Sequence, residues 1–174
     1  AHEGVPLVEI DKAAVRFGMP MGPIELVDSV GLDIAQHVAG ILTSASDREV
    51  PENGLAELVD AGSLGRKTGQ GYYRWEDGKA VKPAAGGGSV PDDIEDRLIL
   101  PMVNEAVACL SEGVVSDADL LDAGVIFGTG FAPFRGGPIN YARERGFDEV
   151  IAALKSLAER RGERFAPHSG WSAL

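Results

Sequence analysis

Two stretches of this sequence repeat the same order of features, and the repeat constrains the fold more than any other property. The first reads HEGVPLVEIDKAAVRFGMPMGPIELVDSVG (residues 2–31), and the second reads SEGVVSDADLLDAGVIFGTGFAPFRGGPINYAR (residues 111–143). Each runs from Glu-Gly through a helical segment with a central aspartate to a Gly-Pro pair and a second helical segment. Such self-similarity indicates one structural unit used twice. We therefore predict two tandem helical units related by a pseudo-twofold axis.

Apolar residues recur at spacings of three and four along most of the chain, which is the signature of amphipathic helices. Asp92 or Asp93 is expected to cap the longest helix, and Ser116 the one after it. Near the end of the chain, Phe165 and Trp171 are expected to dock on the surface. The spacing predicts helices over residues 7–17, 24–30, 32–42, 55–62, 92–113, 116–128, 138–146 and 147–162.

One segment has a different character. The run YYRW is rich in aromatic residues, and the Asp-Gly pair in EDGK favours a tight hairpin between two short strands. Further along, PAAGGGSV has no side chains able to pack and resembles a linker. The sequence thus predicts an all-α fold class with one β-hairpin near residues 71–82, a first unit over residues 1–83, a linker over residues 84–91 and a second unit over residues 92–174.

Charge and cysteine content narrow the class of function. The formal net charge is −11, which argues against a nucleic-acid groove lined by Lys and Arg. Cys109 is the single cysteine, and its apolar neighbours indicate an inert core thiol. No apolar run approaches the roughly 18 residues of a membrane span. The chain begins at Ala1 without Met and shows no signal peptide, so we expect it to be part of a longer protein.

The candidate sites are few. No histidine among His2, His37 and His168 has a carboxylate at a spacing typical of a catalytic pair, and no cluster has metal-ligand spacing. The glycines in FGTGFAPFRGG do not predict a phosphate loop, because no strand leads into them. We therefore predict no catalytic residue, no cofactor-binding residue and no metal in this chain. Asn104 is expected to link the two units by hydrogen bonds.

Four segments together resemble a known family. They are FGMPMGPIELVDSVGLD, RKTGQGYYRWEDGK, EDRLILPMVNEAVACLSEG and FGTGFAPFRGGPINYA, and in this order they resemble the C-terminal region of 3-hydroxyacyl-CoA dehydrogenases. The tandem arrangement is similar to that of the multifunctional fatty-acid oxidation enzymes. The resemblance implies helical units of the 6-phosphogluconate-dehydrogenase C-terminal-like type. It also implies a full-length enzyme with an enoyl-CoA hydratase domain and a Rossmann domain that binds NAD.

The resemblance carries further expectations. The full-length enzyme would oxidise a 3-hydroxyacyl-CoA with NAD, in the bacterial cytoplasm or the mitochondrial matrix, and could assemble with a thiolase subunit. Its catalytic residues would lie in the Rossmann domain, so this chain alone is predicted to be inactive. Because the second unit could take the place of a dimer partner, we also expect a monomer.

Two residues are implied to meet the acyl-CoA substrate. Phe127 stands where the family has an aromatic residue, often Tyr, facing the acyl-CoA pocket; it keeps the apolar wall and lacks the hydroxyl. The alternative is that Phe127 packs between helices. Arg135 could meet a CoA phosphate or cap a helix C-terminus.

Two other interpretations of the whole chain remain open. One is a non-catalytic all-α assembly module. The other is the helical domain of a different two-domain dehydrogenase, against which the RKTGQGYYRW hairpin argues.

Overall fold

The computed structural model describes residues 3–45, 54–83 and 89–174. His2 and residues 84–88 of the predicted linker lie outside these ranges. The chain divides into two compact units. Unit 1 consists of residues 1–15 and 21–91, and unit 2 consists of residues 16–20 and 92–174. The short segment Arg16–Pro20 therefore belongs to unit 2. Its first two residues end the helix Leu7–Phe17, whose other residues belong to unit 1.

The described residues are mostly helical, as predicted, with one antiparallel pair of strands. None of the helices in these ranges is long and apolar enough to cross a membrane. Short 3-10 turns occupy Arg66–Thr68, Pro133–Arg135, Glu163–Phe165 and Ser169–Ala173. The elements are α1 (Leu7–Phe17), α2 (Pro23–Val30), α3 (Leu32–Ala45), α4 (Leu55–Asp60), β1 (Arg74–Glu76), β2 (Lys79–Val81), α5 (Ile94–Ser111), α6 (Ala118–Thr129), α7 (Pro138–Arg145) and α8 (Phe147–Arg161).

The predicted caps of α5 and α6 were wrong in detail. Asp93 occupies the N-cap position of α5, but its side chain makes no capping hydrogen bond. It accepts a hydrogen bond from Arg160 instead, at 2.9 Å. Asp117, not Ser116, caps α6, because its carboxylate accepts hydrogen bonds from the amides of Asp119 and Leu120. A carboxylate at this position satisfies helix amides that would otherwise lack a partner.

In unit 1 the predicted hairpin is present and is fastened by a buried carboxylate. Trp75 of β1 pairs with Ala80 of β2, and the turn uses Asp77 and Gly78, both at positive φ. Asp28 of α2 is fully buried and accepts hydrogen bonds from the Tyr72 and Tyr73 amides and the Trp75 indole, at 2.9, 2.8 and 3.1 Å. The carboxylate thus ties the hairpin to α2.

The apolar stripe predicted in α3 is not buried. Ile34, Val38 and Ile41 are each about half exposed, at 48%, 46% and 53%. Regular spacing of apolar residues therefore identified the helix correctly, but the described residues of unit 1 cover this face only about halfway.

The core of unit 2 forms around α5, whose Leu100 and Val103 are fully buried. Ile139 of α7 and Leu154 of α8 are fully buried in the same cluster. Phe17 also belongs to it, with its ring edge-on to those of Phe131 and Tyr141 at centroid distances of 5.3 and 5.2 Å. The cluster gives unit 2 one continuous apolar interior.

The C-terminal tail is part of that interior, which corrects two expectations. Phe165 and Trp171 are 4% and 6% exposed, so they are core residues and do not merely dock on the surface. Asn104 does not link the two units. Its side chain donates to the Ala166 carbonyl and accepts from the His168 amide and the Trp171 indole, at 3.0, 2.8 and 2.8 Å. One amide side chain thereby fixes the tail on α5.

Candidate functional site

The candidate site lies on the corner between α6 and α7, which a buried aspartate builds. Asp122 is 4% exposed, and its two oxygens accept hydrogen bonds from the amides of Ile139 and Asn140 at 2.7 and 2.9 Å. These amides lie in the first turn of α7, just after Gly137-Pro138. A β-carbon on Gly137 would lie 2.3 Å from that of Asp122, so only glycine fits. Burial raises the pKa of the Asp122 carboxyl, and the two amides oppose the shift.

Unit 1 contains the same device, as the sequence repeat predicts. Asp11 is 1% exposed and accepts hydrogen bonds from the amides of Ile24 and Glu25 at 2.8 and 3.3 Å. The distance from a β-carbon on Gly22 to the Asp11 carboxylate would be 2.1 Å. In each repeat the carboxylate of the central aspartate therefore caps the helix that begins at the Gly-Pro pair.

Glycines shape the turn that follows α6 in unit 2. Gly130 ends the helix at φ 72° and Gly136 closes the 3-10 turn at φ 71°, a backbone region that other residues rarely adopt. Between them Phe131 and Ala132 are fully buried. We predict from the sequence that Gly128, Gly130 and Gly136 serve tight turns. The geometry agrees for Gly130 and Gly136, but the prediction is wrong for Gly128, which lies inside α6.

Arg135 is held in a fixed orientation by this turn. Its Nε donates a 2.8 Å hydrogen bond to the carbonyl of Phe17, the last residue of α1. Its guanidinium carbon lies 4.1 Å from the Phe17 ring centroid and 5.4 Å from those of Phe134 and Tyr141. Arg135 therefore caps a helix C-terminus, which is the second of its two predicted roles.

The capping role leaves part of the guanidinium unused. Within the described ranges, the two terminal amino groups of Arg135 make no hydrogen bond or ion pair to the protein. They are not among the buried polar atoms that lack a partner, so solvent reaches them. Stacking on an aromatic ring and a fixed Nε restrict the side chain, which lowers the entropy cost of binding an anion.

Phe127 lies in the last turn of α6 and is 90% exposed. Within the described residues it does not pack between helices. Phe134, in the neighbouring 3-10 turn, is 76% exposed. The corner therefore presents two bare aromatic rings. Nothing in the sequence singles out Phe134, because its exposure depends on the turn and not on a motif.

The remaining candidates form no site. His37 is exposed on α3. His168 Nδ1 accepts the Gly170 amide at 3.1 Å, and its Nε2 is 3.9 Å from Glu112. Cys109 is half-buried. In the part of the chain that the structure describes, no His, Cys, Asp and Glu residues gather in a group that could hold a metal.

Sequence reasoning missed a buried polar cluster in unit 1. Besides the two amides, Asp11 accepts a hydrogen bond from the Tyr73 hydroxyl at 2.9 Å and lies 3.3 Å from Lys82 Nζ. Lys82 also forms an ion pair with Glu25 at 2.6 Å. Burial, and then the hydrogen bond to Asp11, raise the pKa of Tyr73. Tyr73 follows Asp11 by 62 residues, and no local pattern in the sequence signals the pairing.

The residues of this chain do not form a cradle for NAD. A dinucleotide site needs a strand that leads through a glycine-rich turn into a helix. The two described strands form only an antiparallel hairpin, and the glycine turns at Gly130 and Gly71 follow a helix and precede a strand, respectively. The described residues therefore lack this type of dinucleotide site.

Comparison with known proteins gives a family-model match for the first part of the chain. Residues 1–75 match the family model described as "3-hydroxyacyl-CoA dehydrogenase, C-terminal domain". The matched residues include the Asp11 corner and α3.

Curated relatives extend the similarity to nearly the whole chain. The fatty acid oxidation complex subunit alpha of Idiomarina loihiensis is 40% identical over 94% of the chain. Its counterpart in Vibrio vulnificus is 37% identical over 95%. The chain spans about a quarter of the length of these relatives, 25% in each case.

Solved structures of dehydrogenases share the fold. The 3-hydroxybutyryl-CoA dehydrogenase of Escherichia coli matches 99% of the chain with a TM-score of 0.76 and 22% identity, over 55% of its own length. The dehydrogenase part of multifunctional enzyme 1 from C. elegans matches 95% with a TM-score of 0.67 and 21% identity, over 41% of its length. The relatives and these folds confirm the predicted resemblance and the mostly helical fold class.

Proposed function

We propose that this chain is the helical C-terminal part of an NAD-dependent 3-hydroxyacyl-CoA dehydrogenase of fatty-acid β-oxidation. The reaction converts a 3-hydroxyacyl-CoA and NAD to a 3-ketoacyl-CoA and NADH. The observation that carries the proposal is the similarity of almost the whole chain to two fatty acid oxidation alpha subunits, of which it spans a quarter. Rossmann and hydratase domains of the same polypeptide and a thiolase subunit complete the proposed assembly, in the bacterial cytoplasm.

In this proposal the chain supplies shape and binding rather than chemistry. The reaction needs a hydride acceptor and a general base. NAD supplies the first in its own domain, and the catalytic histidine lies there too. Phe127 contributes an apolar wall to the acyl-CoA pocket, which its 90% exposure leaves free to do. The accessible amino groups of Arg135 meet a phosphate of CoA, since guanidinium groups bind phosphate in a forked geometry.

The first test compares the 174-residue chain with the full-length gene product. NADH formation from a 3-hydroxyacyl-CoA is expected with the full-length protein and not with the chain alone. Turnover by the chain alone would contradict the proposed division of labour. A full-length protein that binds acyl-CoA but never reduces NAD would contradict the assignment of the reaction.

The second test addresses Arg135 and Phe127 in the full-length protein. Arg135→Lys keeps the charge but loses the forked geometry, and it should raise KM for an acyl-CoA. It should leave KM unchanged for the matching acyl-pantetheine, which lacks the CoA phosphates. Phe127→Ala should raise KM for both substrates. An equal response of the two substrates to Arg135→Lys would show that Arg135 serves only the fold.

A further inference from the structure

Phe134 is a large apolar side chain that unit 2 does not bury. Its ring is 76% exposed, although Phe131 and Ala132 just before it are fully buried. The proposed function places Phe127 at the acyl group and Arg135 at a phosphate, but it gives Phe134 no task. Aromatic rings usually bury a large apolar area, so an exposed ring beside a proposed substrate site is a candidate for ligand contact.

The internal repeat shows that Phe134 belongs to an extension of the corner. The chain runs from the aspartate to the Gly-Pro pair over residues 11–23 in unit 1 and over residues 122–138 in unit 2. The second corner is therefore longer, and it includes the 3-10 turn Pro133–Arg135, which the corner of unit 1 lacks. The turn that carries Phe134 is thus not needed to build an aspartate-capped corner.

The Phe134 ring has a fixed position despite its exposure. A β-carbon on Gly18 would lie 2.5 Å from Phe134 Cε1 and 2.6 Å from Cζ, so this part of the ring rests against the bare Gly18 backbone. Any larger residue at Gly18 would displace the ring. A side chain that is already held in place loses little conformational entropy when a ligand stacks on it.

Arg135 adds a charged group beside the ring. Its guanidinium carbon lies 5.4 Å from the Phe134 ring centroid, and the hydrogen bond from Nε to the Phe17 carbonyl fixes it there. The two terminal amino groups face solvent and can bind a phosphate in a forked geometry. A flat apolar ring with such a fork next to it suits a purine nucleotide, because purine bases stack on aromatic rings.

We infer that Phe134 is a specificity-determining residue for the CoA part of the substrate: its ring stacks on the adenine, and Arg135 binds the 3′-phosphate of the same nucleoside. The inference rests on the proposed function and names the part of the substrate that this turn recognises. Phe127 stays free for the acyl group, because it lies on α6 and not on the 3-10 turn.

The 3′-phosphate is the phosphate of CoA that this arrangement favours. As a phosphate monoester it carries a charge of about −1.5 to −2 at pH 7, more than either phosphate of the pyrophosphate. It is also attached directly to the ribose that bears the adenine, so one nucleoside reaches both the ring and the guanidinium. NAD has an adenine but no phosphate monoester, and it therefore matches only half of the site.

Three substrates with the same 3-hydroxyacyl group test the inference in the full-length protein. They are the CoA thioester, the dephospho-CoA thioester, which lacks the 3′-phosphate, and the pantetheine thioester, which lacks the whole nucleotide. Phe134→Leu should raise KM about tenfold for the first two, since both carry the adenine, but not for the third. Arg135→Lys should raise KM for the CoA thioester alone.

Two further variants separate stacking from folding. Phe134→Tyr keeps an aromatic ring and should recover most of the affinity that Phe134→Leu loses. Val114→Ala shortens an apolar side chain that is 67% exposed and lies outside the corner, so it should change no KM. Because Phe134 is mostly exposed, Phe134→Leu should unfold within about 2 °C of the natural protein.

Three outcomes would contradict the inference. An unchanged KM for the CoA thioester in Phe134→Leu would overturn the stacking. An equal rise for all three substrates would also overturn it, and would assign the ring to the acyl group or to the fold. If Arg135→Lys raised KM equally for the CoA and dephospho-CoA thioesters, Arg135 would bind the pyrophosphate and the assignment to the 3′-phosphate would be wrong.

Binding of adenosine 3′,5′-bisphosphate keeps the inference separate from the proposed reaction. Titration calorimetry of the full-length protein, with NADH at saturation to occupy the dinucleotide site, should show binding that Phe134→Leu weakens about tenfold. This result in a protein that never reduces NAD would refute only the assigned reaction. An active enzyme whose affinity for the bisphosphate is the same in Phe134→Leu would refute only the adenine site.

Discussion

The corners of unit 1 and unit 2 share a buried aspartate and a Gly-Pro helix start, but the two aspartates have different surroundings. Asp11 accepts two helix amides, the Tyr73 hydroxyl and an ion pair from Lys82. Asp122 has only its two helix amides within the described ranges. One copy of the device thus also fastens the hairpin, whereas the other only caps a helix.

This difference shows that two copies of a repeated unit can make different contacts while both keep the aspartate-capped corner between two helices. The hairpin of unit 1 presents Tyr73 and Lys82 to Asp11, and unit 2 has no described strand that could supply equivalents. At Asp122 burial is the largest influence and raises the pKa of the carboxyl. The frame is common to both units, while the electrostatic balance of each carboxylate depends on what its unit adds.

The largest effect is expected from the corner glycines. Gly137→Ala would place a β-carbon 2.3 Å from Asp122 at a φ of 102°, so a clash and backbone strain add up. Gly22→Ala would create a clash with Asp11 without the positive φ. In urea unfolding we expect losses of about 4 kcal/mol for Gly137→Ala and about 3 kcal/mol for Gly22→Ala.

A matched control for these substitutions is Gly40→Ala, on α3 with open space around it. It should stabilise by up to about 1 kcal/mol, since alanine favours helices. If Gly137→Ala cost no more than this control, the buried aspartate would not define the corner.

The next effect concerns the aspartates themselves. Asp11→Ala would leave the buried Tyr73 hydroxyl and two helix amides without their acceptor, while Lys82 keeps its ion pair with Glu25. The loss should be about 2–4 kcal/mol of unfolding free energy. Asp122→Ala removes only a helix cap and should cost about 1–2 kcal/mol. Equal losses in urea unfolding would mean that the hairpin contacts of Asp11 add nothing.

The smallest effect is specific to unit 1 and appears at alkaline pH. Burial and the hydrogen bond to Asp11 raise the pKa of Tyr73 above its ordinary value of 10.0. The native state therefore keeps a proton that the unfolded chain loses, so stability is complete below about pH 10 and falls as pH rises beyond it. Tyr73→Phe should cost about 1 kcal/mol at neutral pH.

The pH dependence itself is the diagnostic measurement for Tyr73. Unfolding followed by denaturant at a series of pH values above about 10 should show a steeper decline for the natural chain than for Tyr73→Phe. Parallel declines would place the alkaline sensitivity elsewhere.

Local features of the fold could be predicted from the sequence because they depend on neighbouring residues. The bounds of α1 agree with the spacing of its apolar residues. The Asp-Gly pair predicted the hairpin turn, and both Asp77 and Gly78 have the positive φ that such a turn requires. The repeat correctly related each aspartate to a Gly-Pro pair, although nothing in the sequence stated that the carboxylate meets the amides. Capping supplies that physical link.

Contacts between distant residues could not be predicted in the same way. Arg135 and the Phe17 carbonyl are 118 residues apart, and Asn104 meets the indole of Trp171 across 67 residues. The exposure of Phe127 was equally invisible, because apolar periodicity identifies a helix but not which of its faces other elements cover. The site residues themselves could be nominated only through family resemblance, and their contact with substrate is a prediction for experiment.

The placement of Arg16–Pro20 in unit 2 bears on how such a gene could be rearranged. The Phe17 ring fills the interior of unit 2, yet it is encoded ahead of nearly all of unit 1. A recombination event at the glycine-rich stretch near residue 86 would deliver unit 2 without that ring. The resulting protein would have a cavity in place of the Phe17 ring, which would lower its unfolding free energy by about 3–5 kcal/mol. Because unit 2 needs a residue that is encoded before most of unit 1, we expect the two units to be inherited together.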